Sequence, residues 1–162
     1  MITKRPYRNV GVGGTFDALH KGHRALISKA FEVGDYVFIG LTSDKLAVEL
    51  QKSHKIAPYK ERLAALYCFL EKTEFKNRFE ISTMHTPYGL TLNRTDLNAL
   101  VVSQETVRMG ECINEKRVQA GLSTLSIVKI DLVPAENKKP ISTTRIRAKE
   151  IDPEGHLLKH KI

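Results

Sequence analysis

The fold of this chain is decided by the stretch Gly13-Gly14-Thr15-Phe16-Asp17-Ala18-Leu19-His20-Lys21-Gly22-His23. An apolar run over 9–12 precedes it and an amphipathic stretch over 24–33 follows it, so a strand, a tight glycine turn and a helix start are predicted together. Two adjacent glycines let the backbone adopt positive φ and approach a ligand closely. His20 and His23 lie on one face of the first helical turn, beside unpaired backbone N–H groups and the positive end of the helix dipole. This arrangement suits a polyphosphate far better than an apolar core.

Strand-like and helix-like patterns alternate along the rest of the chain. Apolar runs predict strands at 36–41, 79–83, 99–102 and 125–130. Helical patterns predict helices at 44–50, 59–71, 103–120 and 142–151, with Ser103 as the cap of the third. The alternation predicts an α/β fold, a single Rossmann-like domain over residues 1–162 with a five-stranded parallel sheet flanked by helices. Ligands of such sheets bind beyond the carboxyl ends of the strands, where we expect the first and fourth strands to be neighbours.

The amino-acid composition indicates which kinds of partner the protein can bind and in which compartment we expect it. The chain carries 26 Lys and Arg against 18 Asp and Glu, which gives a net charge of +8. A basic surface attracts anionic partners, and nucleic acid, acidic membranes and small phosphorylated substrates all fit this description. Cys68 and Cys112 lie far apart in helix-like patterns, so we expect buried reduced thiols rather than a disulfide framework or a zinc site. No apolar run is long enough to span a bilayer, and the first residues do not resemble a signal peptide. We therefore expect a cytoplasmic protein that does not bind membranes.

His20 and His23 admit three interpretations. In the first, they are zinc ligands, but no Glu, Asp or Cys accompanies them at ligand spacing, and no metal site is predicted. In the second, they are helix-surface or capping residues. In the third, they contact the phosphates of a nucleotide, where preorganised donors each contribute about 3 kcal/mol to stabilising charge at a reacting α-phosphate. The glycine between them, Gly22, allows close packing of the helix start against the ligand.

A second cluster of polar residues lies near the end of the chain. Ser142, Thr143 and Thr144 are three consecutive hydroxyl residues at a predicted helix start, and Arg145 and Arg147 add fixed positive charge. The alternative is an N-cap followed by a solvated basic helix.

A basic loop follows the second predicted strand. It contains Lys52, His54 and Lys55 and leads to Tyr59 and Arg62. A charge run of this kind is usually a solvated surface. Its position near the carboxyl end of a strand would also let a lysine bridge two phosphorylated substrates.

The two motifs together resemble those of the HxGH nucleotidyltransferase superfamily. Gly14-Thr15-Phe16-Asp17 followed by His20-Lys21-Gly22-His23 looks like its first motif, and the stretch 141–147 looks like its ISSTxxR second motif. Within the superfamily the chain is most similar to the archaeal type of phosphopantetheine adenylyltransferase, on stretches 40–45, 58–62, 101–106, 113–117 and 136–138. The resemblance implies transfer of the adenylyl group of ATP to 4'-phosphopantetheine, giving dephospho-coenzyme A and pyrophosphate in coenzyme A biosynthesis.

The resemblance also implies a role for individual residues. His20, His23 and Lys52 would be catalytic, and Thr15 with Lys52 or Lys55 would hold the phosphate of the acceptor. ATP would be bound by Gly14, Thr15, Phe16, His23, Ser142, Thr143, Thr144 and Arg145, with Arg147 as an alternative to Arg145. Mg²⁺ is expected with ATP, held largely by the substrate and water.

Some features depart from the superfamily pattern or leave alternatives open. Bacterial members carry Thr where His20 stands and two arginines where this chain has Ser103-Gln104-Glu105, and the nearest basic residues here are Arg108 and Arg117. A cytidylyltransferase or an FMN adenylyltransferase is the alternative enzyme, although Lys138-Lys139-Pro140 before the second motif disfavours cytosine recognition. A non-catalytic nucleotide- or RNA-binding module is the alternative of another class, but an aromatic content of 7% offers few stacking surfaces, and we expect no nucleic acid partner. The sequence does not determine the oligomeric state.

Overall fold

The computed structural model describes residues 4–50 and 55–159. These residues form five strands and five helices, and the strands of the sheet all pair in parallel. The elements in chain order are β1 Tyr7–Gly14, α1 Lys21–Val33, β2 Gly34–Thr42, α2 Asp44–Glu49, α3 Tyr59–Glu71, β3 Phe79–Met84, β4 Ala99–Ser103, α4 Val107–Gln119, β5 Ser126–Ile130 and α5 Thr143–Arg147. The predicted α/β fold with a five-stranded parallel sheet is confirmed.

The sheet has the strand order β3-β2-β1-β4-β5, which places β1 at the centre. The chain first builds outward from β1 through β2 to β3, and then crosses over to build outward through β4 to β5. β1 pairs with β4 through Val10 opposite Ala99 and Gly11 opposite Leu100, so the predicted neighbourhood of these strands is confirmed. A crevice opens at such a reversal because the loops beyond the two strand ends leave in opposite directions.

The two faces of the sheet differ in their packing. On one face, Val37 and Ile39 of β2 pack with Phe31 of α1 and with Leu66 and Leu70 of α3 in the larger apolar cluster. The alternation of side chains along a strand sends Phe38 to the other face, where it joins a smaller cluster with Leu100 and with Ile113 of α4. The second face has fewer large side chains, which leaves room for a cavity described below.

The glycine turn after β1 differs from the predicted one. Gly13 and Gly14 are the last residues of the extended strand, and the residues with positive φ in the turn are Phe16 at 49° and Ala18 at 56°. A Cβ on Gly14 would lie 3.2 Å from the ring of Phe16, and a Cβ on Gly13 would lie 2.9 Å from the sulfur of Met84. The prediction of positive φ was therefore wrong, and close packing is what these two positions require.

Two helix boundaries also differ from the predicted ones. Ser103 ends β4 instead of capping α4, since the N-cap position falls to Thr106 after two intervening residues. α5 ends at Arg147 rather than near 151, because Lys149 turns the chain at φ 60° and Ile151 forms an antiparallel bridge with Leu157. Ile151 is fully buried there, so tertiary packing overrides the helical pattern.

Two further expectations can be compared with the described residues. Cys68 is exposed and Cys112 is half-buried, so the prediction of two buried thiols was wrong. Within residues 4–50 and 55–159, none of the helices has the length and apolar character needed to cross a bilayer.

Candidate active site

A cavity of about 440 Å³ lies beyond the carboxyl ends of β1, β4 and β5, and both sequence motifs line it. The start of α1 forms one wall and the start of α5 forms another. Just over half of the residues around it carry polar side chains, and the full lining is Gly13, Gly14, Thr15, Phe16, Asp17, His20, Gly22, His23, Leu26, Ser103, Glu105, Thr106, Ile130, Asp131, Leu132, Val133, Ile141, Ser142, Thr143 and Thr144. The histidine pair and the hydroxyl trio, which are about 120 residues apart in sequence, therefore share one cavity.

The two histidines form a reciprocal cap on α1. Nδ1 of His20 accepts the backbone N–H of His23 at 3.2 Å, and Nδ1 of His23 accepts the backbone N–H of His20 at 3.3 Å. This is the hydrogen-bond pattern of a capping box, made here from two imidazoles. The rings stack with centroids 3.6 Å apart and planes within 18°. The capping interpretation and the phosphate interpretation are therefore compatible, since capping uses Nδ1 and leaves Nε2 on the other side of each ring.

The cap determines the protonation of the rings. A nitrogen that accepts a backbone N–H cannot carry a proton, so the proton of each neutral imidazole resides on Nε2. The pKa of His20 is lowered to about 4, first by burial and second by the nearby charge of Arg24, while Asp17 acts in the opposite direction. His20 is therefore a neutral N–H donor near pH 7 rather than a cation.

Gly22 is required by the position of the His20 ring. A Cβ at residue 22 would lie 2.9 Å from Cε1 of His20 and 3.0 Å from its Nδ1. Phe16, which is buried, meets the His23 ring edge-on at 5.4 Å. The missing side chain of Gly22 therefore makes space for the His20 imidazole, whereas the sequence analysis predicted that it makes space for the ligand.

The second motif forms the start of α5. Ser142 is the N-cap residue, and its Oγ accepts the backbone N–H of Arg145 at 3.3 Å. The Thr143 hydroxyl donates to the backbone carbonyl of Asp17 at 3.1 Å. Thr144 lines the same cavity. The hydroxyl trio is thus anchored to the first motif by a direct hydrogen bond.

Asp17 joins three parts of the site and was not singled out from the sequence. Its carboxylate accepts two hydrogen bonds from Arg147, at 3.2 and 2.8 Å, and one from the backbone N–H of Ala57 at 3.1 Å. Asp17 is only 2% exposed, and its carboxylate raises the pKa of Arg147. The signal in the sequence that would have identified it is an acidic residue inside a phosphate-binding motif, because such a charge needs a cationic partner in the fold.

Neither Arg145 nor Lys55, two of the predicted basic residues, lines the cavity between the two motifs. Arg145 donates to the carbonyls of Lys139 and Pro140 and to Glu150, so it holds the preceding loop and does not line the cavity. Lys55 is exposed and lines neither of the cavities described here. Lys52 lies outside the described residues, so its predicted role stays a prediction.

Arg62 is a buried cation at the rear of the site. Its guanidinium donates to the carbonyls of Ala57, Thr15 and Thr42 at 2.8–3.0 Å, and it pairs with Asp44 at 3.0 Å. The residue is 2% exposed. Arg62 thereby connects the turn after β1, the end of β2 and the end of the basic loop. Its role is structural, whereas the sequence analysis grouped it with a basic surface.

A second cavity of about 320 Å³ adjoins the first on the other side of β1. Its floor is formed by three glycines of the two central strands, Gly11, Gly13 and Gly40. Because these residues have no side chains, the strands leave open space on this face. Residues of the segment 84–94 contribute part of the wall. The other lining residues are mostly apolar and include Phe38, Leu46, Leu90, Leu97, Leu100, Val102, Met109 and Ile113. Gly13, Gly14, Thr15, Glu105 and Thr106 line both cavities.

Arg117 holds the wall segment of the second cavity. Its side chain is completely buried and donates to the carbonyls of Thr91, Arg94 and Ser123. Arg108, on the same helix, is exposed. Arg117 is therefore committed to backbone carbonyls and does not replace the arginines that bacterial members carry after the fourth strand.

The fold and the first cavity are those of a nucleotidyltransferase. A parallel sheet carries, at its switch point, two helix starts whose N–H, imidazole and hydroxyl groups face one another across a space suited to a nucleotide. Residues 12–149 match the family model described as cytidylyltransferase-like.

Similar proteins narrow the assignment. The phosphopantetheine adenylyltransferase of Pyrococcus furiosus is 44% identical over 158 residues, which cover 98% of each chain. The phosphopantetheine adenylyltransferase of Thermococcus gammatolerans is 46% identical and covers 96% of this chain and 98% of its own. A protein of unknown function from Archaeoglobus fulgidus has a crystal structure that superposes with a TM-score of 0.69 at 36% identity, covering 76% of this chain and 89% of that one. The chain belongs to the phosphopantetheine adenylyltransferase family, and the resemblance stated from its motifs is confirmed.

Proposed function

We propose that this protein transfers the adenylyl group of ATP to 4'-phosphopantetheine, giving dephospho-coenzyme A and pyrophosphate, as a step of coenzyme A biosynthesis. One structural observation supports this proposal independently of the similarity to other proteins. A polar cavity lined by helix starts and an apolar cavity meet at Gly13, Gly14 and Thr15, at the end of the central strand. A transferase with one polyphosphate substrate and one largely uncharged, extended substrate needs such a pair of adjoining spaces.

ATP binds in the polar cavity under this proposal. His20 and His23 each present an Nε2–H, and the Ser142, Thr143 and Thr144 hydroxyls lie on the opposite helix start. The imidazoles donate to the α-phosphate and the second motif holds the β- and γ-phosphates. Because neutral donors of fixed orientation need no reorganisation, they stabilise charge that builds up as pyrophosphate departs.

The acceptor binds in the apolar cavity with its phosphate directed to Thr15. A phosphate oxygen of 4'-phosphopantetheine attacks the α-phosphorus of ATP, the new P–O bond forms, and the bond to the β-phosphate oxygen breaks in line with it. The nucleophile is already ionised near pH 7, so catalysis consists of positioning and charge stabilisation without a covalent enzyme intermediate. Lys52, or Lys55 in its place, contributes positive charge between the two phosphorylated substrates.

Mg²⁺ enters with ATP as part of the nucleotide substrate. Asp17 already accepts hydrogen bonds from Arg147 and Ala57, while Glu105 and Asp131 are the other carboxylates that line the polar cavity. We therefore assign the metal mainly to triphosphate oxygens and water, which matches the preference of Mg²⁺ for substrate phosphates and retained waters.

An acceptor screen tests the proposed function. Purified protein with Mg²⁺ and either ATP or CTP is offered 4'-phosphopantetheine, FMN or glycerol 3-phosphate, and pyrophosphate release is measured. We expect release only with ATP and 4'-phosphopantetheine. Release with CTP or with another acceptor assigns the chain to a different nucleotidyltransferase reaction, and ATP binding without release in any mixture indicates a binding module.

A further inference from the structure

A short segment near the end of the described chain touches both walls of the polar cavity from outside. We call residues 151–157 the C-terminal strap. On the α1 side, the carbonyl of Pro153 accepts the backbone N–H of Lys21 at 2.8 Å, and Glu154 pairs with Arg24. Lys21 directly follows His20, so the strap holds the first turn of the helix that carries the histidine pair.

The same segment also holds the loop that leads into α5. The carbonyl of Gly155 accepts the backbone N–H of Glu136 at 2.8 Å, and the Glu136 carboxylate accepts the backbone N–H of Leu157 at 2.8 Å. Ile151 is fully buried in an apolar cluster with Ala135 and Ile141. Ile141 directly precedes Ser142 and itself lines the polar cavity.

The strap has a defined shape of its own. The Asp152 carboxylate accepts the backbone N–H groups of Glu154 and His156, both at 2.9 Å, and contacts the His156 ring at 3.0 Å. Gly155 has φ 87°, and a Cβ there would lie 2.7 Å from Cδ1 of Ile141 and 3.1 Å from Cα of Ala135. The turn is therefore stiff, and it fits against the residue before Ser142 only because residue 155 is glycine.

We propose that the C-terminal strap is a positioning element for ATP, which sets the distance between the start of α1 and the start of α5. None of residues 151–157 lines either cavity, so the strap acts through Lys21 and Ile141 and not by contact with substrate. Two sets of donors on opposite walls can bind one triphosphate only at a fixed separation, and small misplacements of such groups are costly to rate. This inference rests on the proposed binding of ATP between the two motifs.

Gly155→Ala tests the proposal, and Gly121→Ala is its matched control. Gly121 lies two residues after the end of α4 with φ 78°, close to the φ of Gly155, but a Cβ there would have no neighbour within 4 Å. Both substitutions therefore carry similar backbone strain, and only Gly155→Ala displaces Ile141. The dissociation constant for ATP is measured by calorimetry without acceptor, and KM for ATP and for 4'-phosphopantetheine is measured at saturation of the other substrate.

We expect Gly155→Ala to weaken ATP binding about tenfold, with KM for 4'-phosphopantetheine changed less than about twofold. Gly121→Ala leaves all three constants unchanged within that limit. The proposal is overturned when folded Gly155→Ala binds ATP like the parent protein, or when Gly121→Ala weakens ATP binding equally. Failure of the proposed function is recognised separately, from the parent protein: if that function is wrong, the parent protein itself binds no ATP or releases no pyrophosphate.

Glu136 provides a second variant in case Gly155→Ala does not fold. Glu136→Ala removes the acceptor of the Leu157 N–H from an exposed position, while Glu136→Gln keeps an oxygen that accepts the same bond. We expect about threefold weaker ATP binding for Glu136→Ala and recovery for Glu136→Gln. Equal ATP binding by the parent protein and both variants overturns the proposal.

Discussion

Asp17 and Arg147 form an ion pair that joins the first motif to the second across 130 positions of sequence, with the shortest N–O distance at 2.8 Å. The Asp17 side chain is 2% exposed, while that of Arg147 is 40% exposed. The carboxylate is thus the buried member and depends on its partner, whereas the guanidinium can be solvated in part. Loss of either residue should change the spacing of the two motifs as well as stability.

A double-mutant cycle measures how strongly this pair couples the motifs. Arg147→Met should lower the free energy of unfolding by about 2–3 kcal/mol because it takes the cationic partner from a buried carboxylate, and Asp17→Asn should lower it less because the Arg147 guanidinium is partly solvated. The double variant should lose less than the sum of the two, and urea unfolding gives all three values. Strict additivity would show that the pair contributes nothing to the joining of the two motifs.

His20 should make the stability of the protein depend on pH between about 6.5 and about 4. The pKa of His20 is about 4 in the fold against 6.5 in the unfolded chain, so the unfolded state binds more protons in this window. Stability is then fully present above pH 6.5 and falls as pH drops, by about 2 kcal/mol between pH 7 and pH 5.

The measurement compares urea unfolding at pH 7 and pH 5 for the parent protein and for His20→Asn. Asn keeps an N-cap oxygen that can accept the His23 N–H, but it does not titrate, so the loss at pH 5 should shrink by about 2 kcal/mol. His85→Asn is the control, because His85 is exposed and lies outside the site. An unchanged pH dependence in His20→Asn would mean that His20 is charged at pH 5 in the fold.

Gly22→Ala should reduce turnover without reducing stability. Alanine is a better helix former than glycine by up to about 1 kcal/mol, yet its Cβ would overlap the His20 ring at 2.9 Å. The ring must move, which breaks the reciprocal cap and shifts the Nε2–H donors. We expect kcat to fall by about tenfold or more with an unchanged melting temperature, and full activity would show that the stacked arrangement is not needed.

Ser142→Ala should affect ATP more than the acceptor. The substitution removes the N-cap of α5 and a hydroxyl that lines the polar cavity, and loss of such a cap costs about 1 kcal/mol. Steady-state kinetics should give a raised KM for ATP and a nearly constant KM for 4'-phosphopantetheine. The reverse ordering would contradict the placement of the triphosphate at the second motif.

Arg117→Met should affect the acceptor more than ATP. The variant leaves the carbonyls of Thr91, Arg94 and Ser123 without their donor, which loosens the wall of the apolar cavity. We expect KM for 4'-phosphopantetheine to rise at least about fivefold, with a loss of about 2–4 kcal/mol in stability and partial recovery in Arg117→Lys.

Arg108→Met on the same helix is the control for Arg117→Met. The Arg108 side chain is exposed, so this substitution should change neither stability nor KM. An increase in the two KM values by the same factor in Arg117→Met would indicate general loosening instead of a specific effect on the acceptor cavity.

The amino-acid sequence by itself determined the order of strands and helices, the parallel sheet, the place of both motifs at its carboxyl edge, and the cap at Ser142. These features arise from apolar periodicity and from hydrogen bonds that span three or four residues, so they can be read from neighbours in the chain. The resemblance in the motifs identified the family for the same reason.

The tertiary structure alone decided which charged groups support the site and which line it. Asp17 meets Arg147, Arg62 meets Thr15, and Arg145 turns away toward residues 137–140 through contacts that local patterns do not encode. It also decided where α5 ends, because burial of Ile151 beside Ile141 outweighs the helical pattern that continues past Arg147. Buried charges and apolar side chains take whichever partners the fold brings near, and the most distant of these lie far apart in the chain: Arg62 is 47 residues from Thr15, and Arg147 is 130 residues from Asp17.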